Sequence, residues 1–83
     1  MKDIYILYAC DGWKSLDSFR TEVVTTSIRK LKKEIKNMVQ KNDMEVGNDS
    51  MYEHLMKASL PSSLFAGELN QILEYGYIEV WKD

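Results

Sequence analysis

Hydrophobic residues enter this chain in two rhythms. From Ile4 to Cys10 nearly every position is β-branched, aromatic or aliphatic, without Gly or Pro, which predicts a strand. Its two alternating sets, Ile4, Ile6, Tyr8, Cys10 and Tyr5, Leu7, Ala9, are both apolar, the pattern of a central strand covered on both faces. Asp11-Gly12 breaks the run with turn residues. A polar stretch around Trp13 then leads to a second strand, Phe19 to Thr26, in which Phe19, Thr21, Val23 and Thr25 alternate with Arg20, Glu22 and Val24. The two strands form a hairpin whose loop, about six to eight residues, exceeds the usual two to five.

After Thr25, Thr26 and Ser27, whose hydroxyls are N-cap candidates, the spacing becomes helical. Ile28, Leu31, Ile35, Met38 and Val39 share one stripe, and Asn42-Asp43 ends the helix. Val46-Gly47-Asn48 turns the chain. Ser50 followed three residues later by Glu53 has the form of a capping box. It opens a second helix with Tyr52, Leu55, Met56 and Ser59 on its inner side, stopped by Pro61. Ser62 or Ser63 caps a third helix that faces inward through Phe65, Leu69, Ile72 and Leu73, and Gly76 suits its left-handed C-terminal cap. Tyr77 to Trp81 closes the chain as a strand, with Ile78 and Val80 on one face and Tyr77, Glu79 and Trp81 on the other.

The order ββαααβ predicts an α+β fold over a single domain, residues 1–83: a three-stranded antiparallel sheet of order 2-1-3 with two or three helices on one face. One helical layer leaves the other face bare. Either Tyr5, Leu7 and Ala9 or Ile4, Ile6 and Tyr8 then meet water together with Tyr77 and Trp81. At roughly 25 cal/mol per Å² of apolar surface, a few hundred Å² forgoes several kcal/mol, so copies of the chain are expected to join through the open face as a homo-oligomer.

Composition narrows the classes of function. Of 83 residues 45% are hydrophobic, which excludes a disordered tail, and 29% are charged with a net charge of -2. The charges are segregated. Ser27 to Lys41 holds six bases against one acid, whereas residues 42–83 hold two bases against eight acids. Arg29, Lys30 and Lys33 are therefore candidate phosphate contacts, set against the plain alternative of a solvated helix face. Arg29 and Lys30 also occupy the first helical turn, where the helix dipole disfavours positive charge. A balance of -2 speaks against both a DNA mimic and a tight duplex binder. The uncharged run Ile4 to Cys10 is far too short to span a bilayer and no signal-peptide pattern opens the chain. A cytoplasmic setting without a membrane partner is expected.

Chemistry is sparse. Cys10 and His54 are the single cysteine and histidine, which excludes an internal disulfide and a Cys/His zinc set. No nucleophile, base or carboxylate pair stands at a catalytic spacing, and the four glycines stand singly rather than as a phosphate loop. No enzymatic activity, cofactor or metal is expected. The densest cluster is Asp11, Trp13, Lys14, Ser15, Ser18 and Arg20, within ten residues. An indole and a guanidinium stack on nucleobases at roughly 1–3 kcal/mol per base, while Lys14, Arg20 and the serine hydroxyls suit phosphate oxygens. The same set suits a protein hot spot, or a tryptophan folded back over the core.

The opening Ile4-Tyr5-Ile6-Leu7-Tyr8-Ala9-Cys10-Asp11-Gly12-Trp13-Lys14-Ser15, continued by Ser18-Phe19-Arg20, resembles small accessory proteins of bacteriophages and mobile elements. The close Leu73-Glu74-Tyr75-Gly76-Tyr77-Ile78-Glu79 looks similar to their ending. The likeness covers both ends and leaves residues 40–65 unmatched. It implies a viral counter-defence protein acting in the cytoplasm of the infected bacterial host. Such proteins include sponges of the anti-CBASS and anti-Thoeris kind, which sequester nucleotide immune signals, and anti-CRISPR inhibitors, which block an effector protein or its guide RNA. An oligomer pocket with an aromatic plane, bases and no catalytic group favours sequestration of a cyclic oligonucleotide or related signal. Inhibition of an effector is the alternative.

Overall fold

The computed structural model describes residues 3–82. Its long strands are β1 (Ile4–Ala9), β2 (Arg20–Thr25) and β5 (Gly76–Trp81). Between β2 and β5 come the helices α1 (Ile28–Gln40), α2 (Asp49–Lys57) and α3 (Ser62–Ile72), with two-residue strands β3 (Glu45–Val46) and β4 (Leu73–Glu74). The long strands form one antiparallel sheet of order β2-β1-β5, and β3 pairs with β4 in a separate ribbon. The α+β fold and the central place of the first strand are as the pattern predicts.

The face the helices cover is set by β1. Tyr5, Leu7 and Ala9 are buried, and they meet Leu31 and Ile35 of α1, Leu55 and Met56 of α2, Phe65, Ala66 and Leu69 of α3, and Ile78 of β5 in one apolar cluster. The alternate positions Ile4, Ile6 and Tyr8 lie on the open face. Val24, opposite Ile6, and Trp81, opposite Ile4, join them there at 59% and 57% exposure. Toward the β1–β2 loop that face is partly sheltered, since the Phe19 ring stands 5.3 Å from Tyr8 and 5.7 Å from Tyr77, centroid to centroid.

Local chemistry closes the helices. Ser27 caps α1, its hydroxyl accepting from the Lys30 N–H at 3.2 Å. Asn42 (φ 63) ends α1 in a Schellman arrangement, the Asn42 and Asp43 N–H groups donating to the Val39 and Met38 carbonyls. The capping box at Ser50 does not form. The β-ribbon holds the chain extended as far as Gly47, whose N–H donates to the Ile72 carbonyl at 2.8 Å. Asn48 is therefore the first residue free to cap, and its side chain accepts from the Met51 N–H. Ser59 falls outside α2 and is exposed. At α3 the cap position is Pro61, without a side-chain bond, and the Ser62 hydroxyl instead shares a 2.6 Å hydrogen bond with the Tyr5 hydroxyl of β1.

The left-handed residue between β4 and β5 is Tyr75 (φ 67), not Gly76. Gly76 is buried in β5, where an added Cβ would stand 2.6 Å from Met44 Sδ. Its missing side chain, rather than torsional freedom, is what the site uses.

One side chain finishes the sheet. Asn70 of α3 donates through Nδ2 to the Ile78 carbonyl at 2.9 Å and accepts through Oδ1 from the Ile78 N–H at 2.8 Å. It thereby satisfies the outward backbone groups of Ile78 as a further strand would. Asn70→Ala is expected to lower unfolding free energy by about 1–3 kcal/mol. Urea denaturation checks the loss, and faster hydrogen exchange at Ile78 distinguishes an opened edge from a general loosening.

Candidate functional site: the Trp13 loop

The segment between β1 and β2 is a built turn. Asp11 Oδ1 accepts from the backbone N–H groups of Trp13 and Ser15, each at 3.0 Å, and the Asp11 carbonyl accepts from the Lys14 N–H. Ser18 Oγ accepts from the Asp11 N–H at 3.0 Å and donates to the Ser15 carbonyl at 2.7 Å. A single turn of 3₁₀ helix, Leu16–Ser18, completes the return to β2. Lys14 sits at φ 54, a conformation a non-glycine residue holds only when its surroundings over-determine it. They do here. Lys14 Nζ donates to the Asn70 carbonyl at 2.9 Å and lies 5.7 Å from the Tyr77 ring centroid.

What this framework displays is apolar. Trp13 is 90% exposed and Leu16 87%, two residues that would normally find cover. Trp13 does not fold back over the core.

The sequence-derived candidates therefore divide. Asp11, Ser15 and Ser18 hold the turn together, Lys14 anchors it to α3, and Trp13 is displayed. Arg20 begins β2, exposed and 3.9 Å from Glu22. Arg29, Lys30 and Lys33 are exposed on α1. The structure does not bring Arg29 and Lys30 to the loop: they follow the far end of β2, about 20 Å away at 3.3 Å per residue. Lys32 is committed elsewhere, with Nζ donating to the Ala58 carbonyl at 3.1 Å and lying 5.3 Å from the Phe65 ring centroid.

Two participants were not singled out from sequence. Leu16 is a lone aliphatic residue in a polar loop, a readable signal once Trp13 has drawn attention. Asn70 gave none, because its role depends on β5 lying beside α3.

Titration behaviour follows the contacts. The hydrogen bond from the Ser15 N–H, with that from the Trp13 N–H, holds the Asp11 carboxyl below the usual carboxylate range. Burial pushes the half-buried Cys10 thiol up, against the opposing influence of Lys14, so it is protonated at neutral pH. Tyr8 is raised by burial first and by the Glu79 carboxylate second. His54 is exposed on α2. Among the described residues no group of three His, Cys, Asp or Glu side chains would hold a metal ion, and no helix is long and apolar enough to cross a membrane. No protein-family model, curated protein or solved structure matches the chain.

A carboxylate whose folded pKa is lowered adds order above its unfolded pKa and loses it as pH falls through the folded value. The loop is thus expected to hold constant order from neutral pH down to about pH 4 and to loosen below that as Asp11 protonates. Fluorescence anisotropy of Trp13 in a Trp81→Phe background follows this directly. Asp11→Ala is expected to give the loosened anisotropy already at pH 7.

Proposed function

We propose that this chain is a non-catalytic recognition protein that docks on a protein partner through the Trp13–Leu16 tip. The observation that carries this is an indole and an isobutyl group held in water by a backbone already fixed in place. Tryptophan leads the residues that dominate protein interfaces, and a pre-ordered loop loses little entropy on docking. In the setting implied by the resemblance, an infected bacterial cell, the partner is a defence effector held inactive by the docked chain.

Sequestration of a nucleotide signal uses the same indole but needs phosphate donors beside it. Ser18 Oγ and Lys14 Nζ are instead engaged with Asp11, Ser15 and Asn70, which leaves the Ser15 hydroxyl and Arg20, 3.9 Å from Glu22, as the donors near the indole. That favours inhibition of an effector over a sponge.

The open sheet face is the surface through which copies of the chain join. Ile6 lies between Val24 and Glu79, with Ile4 beside Trp81, so the face is an apolar surface interrupted by one carboxylate.

Two experiments test this reading. Immobilised chain is exposed to lysate of the bacterial host beside a Trp13→Ala variant. The wild type is expected to retain a specific protein at least about thirtyfold better than the variant, the equivalent of about 2 kcal/mol at a hot spot. Equal retention by both overturns the proposal, and a nucleotide released on denaturation of the wild type alone would favour sequestration. For the open face, sedimentation equilibrium is expected to show association of the wild type and monomers for Ile6→Lys. A monomeric wild type at micromolar concentration removes that part.

A further inference from the structure

A second recessed surface lies away from the loop, where the C-terminal half of α1 faces α2. The cleft is open to solvent and has a volume of about 350 Å³, at the small end of ligand pockets. Lys36 and Gln40 of α1 and Tyr52, Glu53 and Lys57 of α2 form its walls, over a floor that includes the buried Met56.

The side chains are chemically sorted. Lys36 and Lys57, both exposed, line the cleft, and among the described residues neither has an acidic partner within 4.0 Å. Lys57 stands one helical turn beyond Glu53, the spacing at which the two would pair across α2, yet they do not close. The half-buried Tyr52 supplies a ring, and burial raises its phenol. Its hydroxyl makes no hydrogen bond among the described residues, which leaves a donor for a ligand. Glu53 offers a carboxylate acceptor and Gln40 an amide with both donor and acceptor. Two lysines, an aromatic ring with a thioether, and two groups able to read a polar edge suit an anion that carries a planar, polar-edged body.

We propose that the α1–α2 cleft binds a nucleoside monophosphate, its phosphate held by Lys36 and Lys57 and its base set against Tyr52 and Met56 with Gln40 and Glu53 at the base edge. The lining carries two ammonium groups against one carboxylate, a net positive charge that favours an anion. The planar body finds the surface that inorganic phosphate would leave unused. This site is independent of Trp13, and its failure would leave the docking loop untouched.

The test is NMR titration of the isotope-labelled full chain with each of the four ribonucleoside 5′-monophosphates, and with inorganic phosphate alone. At least one nucleotide is expected to give saturable shifts at the amides of Lys36, Tyr52, Glu53 and Lys57, with an affinity about tenfold or more above that of phosphate. Lys36→Gln and Lys57→Gln are each expected to weaken binding by about tenfold or more, as for loss of a charge-assisted hydrogen bond. Lys33→Gln, on the same helix but outside the cleft, is expected to leave binding unchanged. Shifts absent to about 10 mM, phosphate binding as tightly as every nucleotide, or an equal loss in Lys33→Gln would each overturn the assignment.

Discussion

The molecule is organised by a single inequality: its central strand is apolar on both sides, but the chain supplies helices for one. Tyr5, Leu7 and Ala9 take the helices, and their complete or near-complete burial fixes the register of the whole sheet, since a shift of one residue would exchange the faces. The connection from β2 to β5 must then cross that side three times, as α1, α2 and α3, before returning beside β1. The consequence is a plate with one finished and one unfinished surface. Its edges are unequal as well. The outer edge of β5 is satisfied at Ile78 by the Asn70 amide, whereas β2 forms the other margin of the sheet with charged Arg20 and Glu22, residues that discourage edge-to-edge pairing.

Asn70 also links the sheet to the loop. Its side chain holds β5 while its carbonyl receives the Lys14 ammonium, so the anchor of the Trp13 turn is the same residue that finishes the sheet. The loop is rigid at two levels, internally through Asp11 and Ser18 and externally through Lys14. Lys14 adopts a left-handed backbone that a free turn would give to glycine. The cost of holding it there, of order 1–3 kcal/mol, is met by contacts that orient the neighbouring indole outward.

Much of this could be read along the chain, and the boundary of what could not is physical. Helix identities followed from a period of 3.6 and strand identities from runs of β-branched and aromatic residues, and these elements formed, except that Leu73, read on the third helix, lies in β4. The β3–β4 ribbon is two residues per strand, too short to have a period, and its presence moved the α2 cap from Ser50 to Asn48. Gly76 shows the complementary difficulty. A glycine near a helix end satisfies a left-handed cap and a close approach equally well in sequence, and only the position of Met44 decides between them. The loop residues were identifiable by type, since Asp, Ser, Trp and Lys within a few positions of Gly12 are uncommon company. Their roles were not. Whether a serine hydroxyl faces a ligand or the preceding aspartate depends on torsions that sequence does not specify, and here Ser18 closes on Asp11.

Charge segregation acquires its meaning from the packing. The basic segment of α1 and the acidic C-terminal half meet where α1 faces α2, and Lys36 and Glu53 line one recess there. Had the segments simply neutralised each other, their charged groups would be paired. Among the described residues the closest ion pair is instead Arg20–Glu22 at 3.9 Å, far along the sheet. Basic side chains of α1 have divided tasks: Lys32 is drawn inward to a carbonyl and an aromatic ring, whereas Lys36 remains at the cleft rim with its charge uncommitted. An exposed lysine gains little from a surface pair in any case. Two of them around a concave, partly apolar surface gain more from an anion that also fills the recess, because the Coulombic contact and the apolar burial then arise from the same molecule.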